Sequence, residues 1–209
     1  GQGLSRIRGV FTQALRHGIA NRLVMLLLLG TAAWGVAFTG LEQYWQPYVD
    51  GITPGATPTR LFGLLSGGYF LFGSLGALVA GPLFRLIGPR YAQAIALMRL
   101  SIGLLLILLA GTGSVTAFAV VYFSLFFLNG VSDSPEQALF NENVPAEARS
   151  TLLSFESLFL QAGGGVAALV WGVLADAYSL SLAWRLGGAI FILSGLFYVA
   201  AGRPILKRE

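Results

Sequence analysis

The chain has no cysteine, one histidine and two methionines in 209 residues, and Asp, Glu, Lys and Arg together make up only 11% of it. Without cysteine there are no disulfides, thiolate metal sites or cysteine nucleophiles, and redox compartment leaves no trace. The lone His17 rules out a centre built from several imidazoles and reads as a juxtamembrane residue in water. A charged fraction about half the ~25% of a soluble domain leaves too little polar surface to cover an aqueous globule. The net charge of +4 and pI near 9.8 come from basic residues that form no stripe interleaved with aromatics, so nucleic acid binding is not expected. Gly163-Gly164-Gly165 lacks the Lys-Ser/Thr ending of a phosphate loop. With no nucleophile–base pair and no metal cluster, no enzyme and no cofactor are expected.

What the chain has in abundance is apolar length. Hydrophobic residues reach 56%, gathered into six stretches near 22–49, 59–86, 92–112, 116–138, 150–175 and 182–202. About 20 such residues cross a bilayer core as a helix, and the gaps are too short for a separate soluble domain. The expectation is an all-α polytopic membrane protein with six transmembrane helices over 22–202. Residues 1–21 read as an interfacial helix, with Ile7, Val10, Phe11, Ala14 and Leu15 opposite Arg6, Arg8 and Arg16. Residues 203–209 read as a basic tail.

Sidedness follows from Lys and Arg. With a cytoplasmic N-terminus, that face receives Arg6, Arg8, Arg16, Arg22, Arg85, Arg90, Arg149, Arg203, Lys207 and Arg208, while Arg60 and Arg185 fall outside and Arg99 lies within a span. Both termini are therefore expected in the cytoplasm. The opening Gly1-Gln2-Gly3 carries no initiator methionine, so a longer reading frame is expected.

Polar residues inside spans are the candidates for function, because a carboxylate at the centre of a membrane helix costs roughly 2.5–3.5 kcal/mol on insertion scales. The first span exits through Glu42-Gln43-Tyr44-Trp45-Gln46-Pro47-Tyr48. This is either an aromatic interface belt or the outer part of a polar cavity lined by Glu42, Gln43 and Gln46, with Glu42 and Gln46 sharing a face with Phe38 and Val49. In the fourth span, Asn129, Asp133 and either Glu136 or Gln137 share a face. Asp133-Ser134-Pro135-Glu136 also fits an N-cap, a first-turn proline and an acid three positions on, so cap and cavity both stand open. Arg99 and Glu156 lie about two turns inside their spans, and Arg99 is expected to pair with Asp133, Glu136 or Glu156. Glu142 and Arg149 flank a turn containing Pro145. Gly63, Gly67, Gly68, Gly76, Ala80, Gly164, Ala168 and Gly172 fit close helix packing in lipid.

A resemblance follows from several of these residues in order. The amphipathic lead-in, the exit at Glu42-Gln43-Tyr44, Gly81-Pro82-Leu83-Phe84-Arg85-Leu86-Ile87-Gly88-Pro89-Arg90, and Asn141-Glu142-Asn143-Val144-Pro145-Ala146-Glu147-Ala148-Arg149-Ser150-Thr151-Leu152-Leu153-Ser154 with Gly172-Val173-Leu174-Ala175-Asp176 resemble the C-terminal half of a major facilitator superfamily transporter. The resemblance covers essentially the whole chain. It departs from the family loop pattern where Arg85 replaces an acid, Leu86 an arginine and Pro89 a basic residue, which weakens a gating role there. It implies two three-helix inverted repeats packed against a second bundle around a midplane site.

On that resemblance, Trp34, Phe38, Glu42, Gln43, Tyr44, Gln46, Asn129 and Asp133 are expected along the substrate or proton pathway. Arg85, Arg90, Arg99, Glu136, Glu142, Arg149 and Glu156 are expected in a gating or charge network. The implied function is secondary active, proton-coupled export of a small amphipathic compound or drug across a bacterial inner membrane. The implied partners are the bilayer, the small-molecule substrate, and either an N-terminal six-helix half or a second copy of the chain. A half-size carrier acting as a homodimer and a non-transporting assembly subunit are the alternatives.

Overall fold

The computed structural model describes residues 21–87, 91–144 and 148–201. Residues 1–20 of the interfacial helix expected over 1–21, Arg90 and the tail at 203–209 lie outside them. The described residues form six α-helices: α1 Arg22–Ile52, α2 Thr59–Ile87, α3 Tyr91–Leu109, α4 Val115–Asn143, α5 Arg149–Ala177 and α6 Leu180–Ala201. All six are long and apolar enough to cross a membrane, and the chain is an integral membrane helical protein. Even α3, at 19 residues, spans about 28 Å at a rise of 1.5 Å per residue, close to the bilayer's hydrocarbon thickness.

Local chemistry sets the helix ends. Asn21 caps α1, its Oδ1 accepting from Leu23 N–H at 3.0 Å and Val24 N–H at 3.5 Å, and Ser114 caps α4 by accepting from Ala117 N–H at 3.3 Å. Ser179 accepts from Leu182 N–H at 3.2 Å where α6 begins. The chain leaves α3 at Leu109, three residues earlier than the sequence reading, where Gly111-Thr112-Gly113 interrupts the apolar run. The largest departure is at α4, which continues unbroken through Pro135 to Asn143. Asp133 is thus an interior helix residue, and the N-cap alternative does not hold. Pro135 withholds one N–H, but it is buried with Val131 and Phe140 on either side of it, and packing carries the helix past it.

The bundle is knit by a few extensive pairings: α2 with α4, α1 with α5, α1 with α6, α3 with α4, and α3 with α6. Glycines make three of these contacts tight. A Cβ on Gly76 would strike the Phe127 carbonyl oxygen and one on Gly130 that of Gly73; between α1 and α5, Gly35 and Gly163 stand in the same way against the carbonyls of Leu160 and Ala32. Between α3 and α6, Gly103 and Gly188 face one another. Such approaches gain van der Waals contact that lipid cannot supply.

We call the end where α1, α3 and α5 begin the near end, and the opposite one the far end. The far half is filled by an aromatic cluster in which Trp45, Tyr48, Phe118, Tyr122 and Trp184 stack or meet at a tilt. Trp184 donates to the Gly40 carbonyl at 3.0 Å and Tyr48 to that of Thr112 at 2.8 Å, so the polar edges of these rings are satisfied. The outward surface is apolar, most of all on α2 and α5, which bury the smallest share of their residues.

Candidate functional site

The polar chemistry collects in the near half, around Arg99. This side chain is fully buried just short of the middle of α3, and all five of its N–H donors are engaged. Nε donates to Glu136 Oε1 at 3.2 Å, Nη1 to the Gly30 carbonyl at 2.7 Å and to Ser194 Oγ at 3.1 Å, and Nη2 to Tyr198 Oη at 2.9 Å and to Glu136 Oε2. The guanidinium also lies over the rings of Phe191 and Tyr198, 4.6 and 4.7 Å from their centroids. One residue of α3 therefore ties α1, α4 and α6 together.

Glu136 is the acceptor on which the network converges. Besides Arg99 it accepts from Ser132 Oγ at 2.5 Å and from Tyr198 Oη at 3.0 Å. Burying two charges is offset only when geometry is good and the remaining lone pairs are used, and both conditions are met here. Gly30 has a specific part in this: a Cβ there would lie 2.7 Å from Tyr198 Oη, so the ring reaches the guanidinium only because α1 has no side chain at that point.

Beside the network lies a cavity of about 210 Å³ between α1, α4 and α5. Asp133, Glu136 and Glu156 supply its carboxylates, with Arg99 the basic residue of the lining and Trp34 an aromatic one. The Trp34 indole donates to Asn129 Oδ1 at 2.9 Å and stacks on Phe38, centroids 4.5 Å apart and planes 4° from parallel. Gln137 donates to Glu156 Oε1 at 3.0 Å. Asn129 and Asp133 also border a shallower groove of about 270 Å³ between α2 and α4.

The structure thus brings Trp34, Asn129, Asp133, Arg99, Glu136 and Glu156 to one cavity, and of the three acids considered for Arg99 it pairs Glu136. Phe38 stands behind Trp34. The other residues lie elsewhere. The buried stripe of α1 past Phe38 is Leu41, Trp45 and Val49, while Glu42, Gln43 and Gln46 are exposed. Glu42 and Gln46 lie along the exposed edge of that stripe, outside the near-half cavity. Tyr44 packs toward α5, its hydroxyl 3.1 Å from where a Gly172 Cβ would be. Arg85 and Glu142 line a separate cleft between α2 and α4. Arg149 donates to the Asn141 carbonyl at 3.4 Å. Among the described residues Arg99–Glu136 is the one ion pair.

Tyr198, Ser194, Ser132 and Thr31 are site residues that sequence reasoning passed over. A tyrosine near a span end looks like an interface anchor, and hydroxyls in membrane helices usually bond their own backbone, as Thr31 does to Leu27 at 3.3 Å. Comparisons of the chain with protein-family models, curated proteins and solved structures return no match.

Proposed function

We propose that the chain is a six-helix bundle of a secondary active transporter of the major facilitator kind, exporting a small amphipathic compound in exchange for protons. The observation that carries this reading is the near-half cavity: three carboxylates and a fully engaged guanidinium inside helices whose outer faces are apolar. Ionisable groups are expensive at that depth, and in membrane proteins they mark ion and substrate pathways. A carboxylate in such a place can exchange a proton for a ligand, which is what coupling requires.

The packing supports an inverted-repeat reading. Exchanging α1, α2 and α3 with α4, α5 and α6 leaves the pairings unchanged: α2 with α4 becomes α5 with α1, α1 with α6 becomes α4 with α3, and α3 with α6 maps onto itself. The glycines follow the same exchange. Gly76 against Phe127 corresponds to Gly163 against Ala32, and Gly130 against Gly73 to Gly35 against Leu160. Three spans per repeat turn the second repeat upside down, so the relating axis lies in the membrane plane.

Six helices of this kind make one wall of a transport path, and a second bundle completes it, either a preceding half or another copy of the chain. The exposed apolar faces of α2 and α5, with Gly63, Gly67, Gly81 and Gly165 clear of any neighbour within 4 Å, supply the surface for it. The same faces favour a second reading, a membrane assembly subunit. Reconstitution separates them. Liposomes holding the protein and a pH gradient are expected to release protons when amphipathic compounds are added, and Asp133→Asn and Glu156→Gln to abolish that release in protein that still folds. Retained partners with no proton release from the unmodified protein would mean the assembly role.

A further inference from the structure

The charges of the cavity do not balance, and the arrangement of its hydrogen bonds says which sign is left over. Three carboxylates line it against one guanidinium. Every donor of Arg99 is already committed, to Glu136, Gly30, Ser194 and Tyr198, and the side chain has no exposed surface. It has nothing to offer an incoming anion. Glu136 is likewise held, by Arg99, Ser132 and Tyr198. Asp133 and Glu156 remain: among the described residues Asp133 on α4 has no ion-pair partner, and Glu156 on α5 is met by two neutral donors, the amide of Gln137 at 3.0 Å and the hydroxyl of Thr31.

A second feature of the same cavity narrows the class. Trp34 stands in its wall, fixed at one edge by Asn129 and behind by Phe38, so a flat indole face is held in place by neighbours at no further ordering cost. Indole is the best of the aromatic surfaces for a cation. The two uncommitted carboxylates belong to different helices, Asp133 to α4 and Glu156 to α5, and, among the described residues, no three His, Cys, Asp or Glu side chains come together as a metal ion would require. An ammonium or iminium group on a small aromatic body meets all of these elements at once, with charge toward Asp133 and Glu156 and ring toward Trp34.

We infer that the occupant of this cavity is a small aromatic organic cation. The inference rests on the transport reading of the same site and goes beyond it in fixing the sign of the ligand's charge. Its test uses two probes of matched shape: the permanent cation 6-methoxy-N-methylquinolinium, and 6-methoxyquinoline, which is neutral at pH 7.5. Equilibrium dialysis against the purified protein in nanodiscs is expected to show the cation bound at least tenfold more tightly. Asp133→Asn and Glu156→Gln should each reduce that preference severalfold, with Asp50→Asn, exposed at the far end of α1, leaving it unchanged, and Trp34→Leu should weaken the cation. Equal or stronger binding of the neutral probe, lost in the Trp34 variant, would overturn the charge assignment while leaving a ligand site in place. Binding of neither probe, with circular dichroism showing an intact helical fold, would overturn the charge assignment and count against the transport reading as well.

Discussion

Gly103 of α3 and Gly188 of α6 stand so that a Cβ added to either would lie 2.7 Å from the other's carbonyl oxygen. Neither helix can back away alone, because α3 is also held to α4, and α6 to α1. Alanine at either position is expected to destabilise the fold by about 1–3 kcal/mol, the range for overpacking a filled interior. Gly67→Ala and Gly81→Ala, where nothing lies within 4 Å, should leave stability within about 0.5 kcal/mol. Thermal unfolding in detergent reads the difference, and equal behaviour of the two groups would mean the helices pack less closely than described.

Arg99 and Glu136 form a buried pair whose halves depend on each other. Arg99→Met leaves Glu136 with Ser132 and Tyr198 alone and is expected to cost about 3–5 kcal/mol, the usual penalty for orphaning a buried charge. Combining it with Glu136→Leu should restore much of that loss, since two apolar side chains carry no desolvation cost. A double variant as unstable as the sum of the singles would show that the two do not act as a pair.

Trp34 and Asn129 are linked by one hydrogen bond of 2.9 Å. Trp34→Phe removes the donor and keeps a ring on Phe38, so about 1 kcal/mol of stability should be lost. Asn129→Leu should cost a similar amount, and the pair together little more than either. A double-mutant cycle in chemical unfolding gives the coupling energy, and strict additivity would exclude the bond.

The absence of cysteine makes sidedness directly measurable. Thr57→Cys in the connection between α1 and α2, and Ser150→Cys at the start of α5, lie at opposite ends of the bundle. On intact cells a membrane-impermeant maleimide is expected to label position 57 and to reach position 150 only after permeabilisation. The reverse pattern would invert the topology drawn from Arg and Lys.

The helices were legible because apolar length is a coarse property: every span in the sequence matches one in the structure to within five residues at either end. The miss at the end of α4 arose where Pro135 and the neighbouring polar residues imitate a helix start, and only tertiary burial decides otherwise. The site was legible in part. Asp133, Arg99, Glu136 and Glu156 stand out as charges in apolar surroundings, and so could be picked one at a time. Which of them meet depends on how α3 and α4 rotate about their axes, and a single sequence does not carry that. Glu42, Gln43 and Gln46 looked similar by the same criterion, but they lie exposed in the far half, beside a stripe that Trp45 and Val49 bury, and do not reach the near-half cavity.

The aromatic cluster at the far end has a mechanical consequence. Rings such as Trp45, Tyr48, Phe118, Tyr122 and Trp184 each turn about only two bonds, and here each is wedged by another from a different helix. No one of them can swing aside to admit water while the rest stay in place. Admitting water at that end therefore calls for whole helices to tilt or separate, so the cluster yields as a single block and not ring by ring.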